Sequence, residues 1–190
     1  MRPLRILIAE DESLIRLGLR RILEEAGHQV VAAPDGRTAV KLDRQTGPDL
    51  AILDVKMPGL DGLEVVRQIH ARRPLPIVLL TAYGDRELIK QAAGLPIMAY
   101  LMKPINEPEL LATLQVVMAR FEEQQRVLRH AVDLEQQLAT RKLVDRAKGV
   151  LMERQGLSEQ DAYQCIQRQA RQERRSMRQV AEAILRQARD

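Results

Sequence analysis

The sequence predicts an α/β fold, a doubly wound five-stranded parallel sheet, followed by a long helix and a small three-helix bundle. Three observations lead there. Five short apolar runs, at 5–9, 29–33, 50–54, 77–81 and 99–102, alternate with segments of helical spacing. The runs are continuous rather than alternating, which is the pattern of strands buried on both faces of a parallel sheet. From Glu107 onward the strand pattern stops and only helical spacing remains.

Each element carries its own signal. After Glu10-Asp11-Glu12, residues 14–26 place Leu14, Ile15, Leu17, Leu19, Ile22 and Leu23 at helical spacing, and Gly27 ends that helix. Asp35-Gly36 opens a second helix that stops at Gly47-Pro48. The third strand runs from Leu50 straight into Asp54, and the turn Pro58-Gly59 follows. A third helix over 61–72 ends before Pro74 and Pro76, and a fourth is expected over 85–94. Asn106-Glu107-Pro108-Glu109 has the spacing of a capping box.

Beyond Pro108 there is no Pro, and no Gly before Gly149, so one helix is expected from Glu107 past Gln137. A helix of ~30 residues is about 45 Å long. Leu114, Phe121 and Leu128 fall seven apart, as do Met118, Gln125 and Val132. This is an imperfect heptad seam, open to two readings: a dimerising coiled coil, or a helix leaning on its own first domain. The tail then divides into three helices. The first, 141–155, aligns Leu143, Val144, Ala147, Val150 and Leu151 and ends at Gly156. Ser158 caps the second, whose spacing assigns Ala162, Tyr163, Ile166 and Ala170, with Cys165, to the core. Ser176 and Gln179 form a capping box for the third, with Met177, Val180, Ala181, Ile184 and Leu185. The expected domains are 1–119, a linker helix over 107–140, and a helical domain over 125–190.

Composition narrows the class. A 190-residue chain with 45% hydrophobic residues can bury a core in one domain plus an appendage, or in two small domains. The lone Cys165 excludes an internal disulfide and fits a reducing compartment. No apolar run approaches the ~20 residues of a membrane helix, and no signal peptide opens the chain, so a soluble cytoplasmic protein with no membrane partner is expected. Residues 1–119 carry 15 Lys and Arg against 15 Asp and Glu, which leaves 15 against 11 for residues 120–190, so the whole +4 excess lies in the tail. A regional excess of that sign suits a polyanionic partner or a well-solvated helical surface.

The chemistry lies at the strand ends, which converge at the carboxyl edge of such a sheet. They are Glu10 and Asp11 after the first strand, Asp54 after the third, Thr81 after the fourth and Lys103 after the fifth. Alone, Asp54 would read as a strand-end acid that caps the next helix. Together, three carboxylates in one crevice repel one another unless a cation is present, and they offer hard oxygen ligands suited to Mg²⁺. Lys103 could pair with Asp54 in the empty site and with a phosphoryl oxygen in the filled one; the Thr81 hydroxyl could donate to that same oxygen. A nucleophilic carboxylate, a metal and fixed polar donors meet the needs of phosphoryl transfer.

The combination of Glu10-Asp11, Leu53-Asp54-Val55-Lys56-Met57-Pro58-Gly59-Leu60-Asp61-Gly62, Thr81-Ala82 and Tyr100-Leu101-Met102-Lys103-Pro104 resembles the receiver domain of two-component response regulators over residues 4–119, a flavodoxin-like fold. The resemblance implies that Asp54 accepts a phosphoryl group from a sensor histidine kinase. It implies that Asp11 and the Lys56 main-chain carbonyl bind Mg²⁺ directly, with Glu10 acting mainly through water. It makes Thr81 and Tyr100 a switch pair, Tyr100 moving inward, and the Lys103-Pro104 bond cis. Such a protein is a phosphoacceptor rather than an enzyme. Two features depart from the family: Glu10 stands where Asp is commoner, and Pro96-Ile97 replaces a frequent Gly-Ala pair, which bears on how the fourth helix ends.

In the tail, Arg141, Lys142, Arg146, Lys148 and Arg154 project from the first helix, and Arg174, Arg175 and Arg178 gather at the turn into the third. Ala147-Lys148-Gly149-Val150-Leu151-Met152, Gly156-Leu157-Ser158-Glu159, Ala162-Tyr163 and Val180-Ala181 resemble, in order and separation, the ANTAR family of transcription antitermination regulators over about residues 125–188. The resemblance implies recognition of paired RNA hairpins in leader transcripts, stabilised against a competing terminator; the heptad seam adds the expectation of a homodimer that phosphorylation forms or rearranges. With Tyr163 assigned to the core, recognition would rest on Arg141, Lys142, Arg146, Lys148, Arg175 and Arg178, and on close main-chain approach at Gly149. Gly149 could equally serve a helix–helix contact. A phosphorelay or protein-interaction module whose tail binds a partner protein is the alternative, and a helix-turn-helix DNA reader is a weaker one.

Overall fold

The computed structural model describes residues 2–82, 92 and 94–188. The fourth helix expected over 85–94 lies outside the described residues, apart from Ala92 and Gly94. The first elements are β1 (Arg5–Ala9), α1 (Ser13–Glu25), β2 (Gln29–Ala33), α2 (Gly36–Thr46), β3 (Leu50–Asp54), α3 (Gly62–His70) and β4 (Ile77–Thr81). They are followed by β5 (Ile97–Met102), α4 (Glu107–Gln155), α5 (Glu159–Gln172) and α6 (Met177–Gln187).

The strands form one parallel sheet in the order β2-β1-β3-β4-β5, the doubly wound arrangement expected. Successive strand residues point to opposite faces, and both faces are covered. Leu7, Ala51, Leu53, Ile77 and Leu79 pack with Val65, Val66 and Ile69 of α3 on one side. Ile6, Ile8, Ile52, Val78 and Leu80 pack with Leu19, Leu23, Leu110, Leu114 and Val117 on the other. Burial on both faces explains the unbroken apolar runs of β3 and β4, which are buried end to end. β5 starts at Ile97, two residues earlier than expected, with a register irregularity opposite Ile77 and Val78. At the unusual Pro96-Ile97, the Ile97 N–H turns back to the Leu95 carbonyl at 2.8 Å, and Gly94 takes φ 89°.

The chain divides into two compact units, residues 1–124 and 125–190. Two expectations about the helices are corrected. No break separates a linker helix from a bundle helix at residue 141: α4 is continuous from Glu107 to Gln155. Nothing in Ala139-Thr140-Arg141 stops a helix, and the one internal glycine, Gly149, costs only about 1 kcal/mol relative to alanine. The heptad seam also divides. Leu114 and Met118 are buried in the first unit's core, whereas Leu128 and Val132 are exposed. A stripe that packs on a sheet and a coiled-coil seam share i, i+4, i+7 spacing, so the early half of the apparent seam serves the sheet.

In the second unit, Val144, Ala147 and Leu151 of α4 close a core with Ala162, Ile166 and Ala170 of α5 and Val180, Ala181 and Ile184 of α6. Ser158 accepts from Asp161 N at 3.1 Å, and the Ser176–Gln179 capping box is complete. Arg154 donates to the carbonyls of Gln187 and Ala188 at 3.1 and 2.6 Å, which satisfies acceptors at the end of α6. Cys165 is partly buried against this core, but Tyr163 is not part of it and is 43% exposed. Among the described residues, no helix is long and apolar enough to cross a membrane.

Candidate functional site

Asp54 ends β3, paired in register with Leu80, one residue before Thr81 on the neighbouring strand. The chain after Asp54 must fold back tightly over the strand end. Gly62 makes this possible: its N–H donates to the Val55 carbonyl at 3.0 Å, and a Cβ there would overlap the Asp54 carbonyl oxygen. Asp61 accepts from Glu64 N at 2.8 Å, which fixes the start of α3 just beyond the turn. From β5, the Lys103 N–H donates to the Thr81 carbonyl at 2.8 Å, so the lysine stem leaves the sheet edge beside β4, and the Lys103-Pro104 peptide is cis.

The Lys103 ammonium lies between two acids, 2.9 Å from Asp54 Oδ2 and 2.7 Å from Glu10 Oε2. The first contact is a hydrogen bond. The second is an ion pair at an angle that leaves Glu10 Oε2, fully buried, without a hydrogen-bond donor. Glu10 Oε1 accepts from Glu12 N at 3.2 Å, and Asp54 Oδ1 from Lys56 N at 3.4 Å. Burial, reinforced by the neighbouring Asp54 charge and opposed by Lys103, pushes the Glu10 pKa above the usual carboxylate value. Burial works against the Lys103 ammonium, yet its close contacts with the Glu10 and Asp54 carboxylates outweigh that and raise its pKa.

Glu10, Asp11 and Asp54 can each bring one oxygen within 4.8 Å of the other two, Asp11 from the exposed side. An all-oxygen acidic set holding a buried oxygen without a donor fits a hard divalent cation such as Mg²⁺. Thr81 is buried at the same edge, while Tyr100 lies on β5 with its ring partly exposed and its pKa raised by burial. The strand-end residues therefore converge as expected, with Tyr100 outside the cluster. Sequence reasoning passed over Arg16, which donates to the main-chain carbonyls of Glu10 and Asp11 at 2.6 and 3.1 Å and holds the acidic loop to α1. Its signal was its position one turn into the helix that follows those acids.

The cations of the second unit fall into two groups. Lys148 is largely buried and paired with Asp145 and Glu159 at 2.8 and 2.7 Å; Arg175 pairs with Glu173, and Arg178 with Glu182. Arg141, Lys142 and Arg146 are exposed on α4, and Gly149 has open space where a Cβ would stand. Arg168, Arg171 and Arg174, outside the candidate set, are exposed, and among the described residues no carboxylate pairs with them.

A five-stranded parallel sheet that gathers an acid triad, a threonine and a lysine at its carboxyl edge is the arrangement expected of a receiver domain. Residues 6–115 match the response regulator receiver domain, and residues 132–185 match the ANTAR domain. The chain belongs to the response regulators and joins these two domains. It is 44% identical over 184 residues to the transcriptional regulatory protein PdtaR of Mycobacterium tuberculosis, which covers 96% of this chain and 90% of that protein. The response regulator MprA of Mycolicibacterium vanbaalenii matches over 121 residues at 43% identity, 62% of this chain and 52% of that one. The receiver domain of AraT from Geobacillus stearothermophilus superposes with a TM-score of 0.58 at 30% identity, over 64% of this chain and 98% of that one. The two-domain architecture is that of a regulator.

Proposed function

We propose that the chain is a phosphorylation-controlled regulator that binds hairpin RNA in nascent transcripts and promotes antitermination. In this reading residues 1–119 receive the signal, the helix over 107–140 carries it, and residues 125–190 read RNA. The observation that carries the proposal is the buried Glu10–Lys103–Asp54 cluster in a chain whose tail is an ANTAR domain. Asp54 is the phosphoacceptor: a carboxylate oxygen forms the new O–P bond as the P–N bond of a histidine kinase's phosphoimidazole breaks. Lys103 then exchanges its carboxylate contact for a phosphoryl oxygen, the Thr81 hydroxyl donates to another, and Tyr100 follows inward. Glu10, Asp11, Asp54 and the Lys56 carbonyl would hold Mg²⁺, which neutralises charge on the transferring group. An apolar hollow of about 210 Å³ beside Lys103, lined by Ile15, Ile22, Pro104 and Ile105, and the exposed Leu14 and Leu17 offer the kinase a surface at the site.

The output is read by the bundle's cations, Arg141, Lys142, Arg146, Arg175 and Arg178, with Lys148 and Gly149 behind them. Val127, Leu134 and Leu138 are exposed and fall on one side of α4, an apolar stripe that supports a homodimer through this segment in a cytoplasmic protein. Full-length protein and Asp54→Ala should differ in affinity for a two-hairpin RNA only when a phosphodonor is present; equal binding under both conditions would sink the switching claim. Sizing with and without a phosphoryl mimic measures the dimer.

A further inference from the structure

Tyr163 was expected in the core and stands at the surface, 43% exposed. At about 100° per residue it lies some 60° from Ile166, at the rim of the buried stripe rather than on it. Gln167 and Arg171 follow it on successive turns of α5, and Gln160 and Gln164 lie alongside. Gln164, Gln167, Arg168, Arg171 and Gln172 surround a shallow hollow of about 320 Å³. Arg174 follows in the turn after α5, with φ 52°, a left-handed conformation that is costly for a side chain with a Cβ.

The row differs from the cations that follow it: Arg175 pairs with Glu173 at 2.7 Å and Arg178 with Glu182 at 3.0 Å, whereas among the described residues no carboxylate pairs with Arg168, Arg171 or Arg174. Along this row the positions one turn before Arg168 and Arg171 are Gln164 and Gln167, where an acid would give a helix-stabilising pair. Neutral amides leave the guanidinium groups free for an outside anion while adding donors and acceptors of their own. An exposed ring, amides and unpaired planar cations in one row match unpaired RNA bases, which present a π-face, a hydrogen-bonding edge and a phosphate.

We infer that this face of α5 binds an unpaired nucleotide of the RNA loop: Tyr163 stacks on the base, Gln167 reads its edge, and Arg171 and Arg174 hold the flanking phosphates. The inference rests on the RNA-binding reading above and adds Tyr163 and α5 to the cations named there. Lys148, tied to Asp145 and Glu159, braces α4 against α5.

The test uses the full chain, with phosphodonor, and a pool of RNA stem-loops with randomised loops selected on wild-type protein. Against the selected RNA, Tyr163→Ala should bind about tenfold more weakly, the scale of one lost base–aromatic stack. Tyr163→Phe, which keeps the ring, should recover binding. Arg171→Ala should flatten the slope of log affinity against log salt by about 0.7, one single-strand phosphate contact. Circular dichroism and melting of each variant separate a contact from a folding defect, since Tyr163 lies outside the apolar core. Wild-type affinity in a folded Tyr163→Ala overturns the inference and leaves the RNA reading standing. Selection that enriches no RNA on wild-type protein overturns both.

Discussion

In the receiver, Glu10, Asp54 and Lys103 are buried and held together by contacts of 2.7 and 2.9 Å, whereas Arg168 and Arg171 of α5 and Arg174 just after it stand in solvent, with no carboxylate paired to them among the described residues. The two regions handle charge by opposite means. A buried cluster works because each ion depends on the others, so one substitution disturbs all three. An exposed row works by addition, each cation contributing a small share to the attraction of a polyanion. Substitutions should therefore act steeply and cooperatively in the receiver, and in small independent steps in the bundle.

The most severe break of that comparison is Lys103→Met. It leaves Glu10 and Asp54 facing each other without a counter-ion, and removing one partner of a buried ionic cluster costs about 3–5 kcal/mol. Denaturant unfolding monitored on the receiver should show this loss. Added Mg²⁺ should return more stability to the variant than to the wild type, because the cation would replace the missing positive charge. An unchanged midpoint without Mg²⁺ would mean the cluster is far less interdependent than its geometry indicates.

Arg174→Gly sharpens the comparison from the other side. Glycine accepts φ 52° without strain, and after its greater chain entropy is set against that relief the bundle should gain about 0.5–1 kcal/mol. The same change removes one cation from the exposed row, so RNA affinity should fall as melting temperature rises. A purely structural role for Arg174 predicts the rise without the fall.

The contrast also explains what could be read in advance. The sheet, its order of elements and the convergence of Glu10, Asp11, Asp54, Thr81 and Lys103 follow from periodicity and from where strands end, and both are local signals. Tyr163 was misread because one turn of helix separates a core position from its rim, and spacing with Ala162 and Ile166 fits either. The early heptads admitted two readings because Leu114 and Met118 serve the sheet with the same spacing a coiled coil would use. The loss of Lys148 from the exposed cations had a different origin. Its partner Glu159 lies on another helix, and sequence distance hides such a pair. Arg168 and Arg171 were overlooked because a free cation is recognised only once the acids around the others have been assigned.

The smallest effect is a pH dependence, and it too separates the two units. His28 lies at the start of β2's edge of the sheet, buried, with Nδ1 accepting from Leu4 N at 3.3 Å, a bond that only an unprotonated Nδ1 can accept. Burial holds its pKa below the ordinary value of 6.5. The unfolded chain therefore binds the proton at a higher pH than the folded one, and stability must fall as pH drops below 6.5 toward the lowered pKa of the folded state. Glu10 works in the opposite sense at lower pH: its raised pKa makes the folded state the better proton acceptor around and above the ordinary carboxylate value of 4.5. Receiver stability should thus decline as pH falls through the histidine range, because burial favours the neutral imidazole in the folded state. In His28→Gln that part of the slope should disappear. Hydrogen exchange at β1 and β2 against α5 and α6 localises the effect: protection lost in the strands alone supports His28, whereas an equal loss in the bundle would assign the slope to another group.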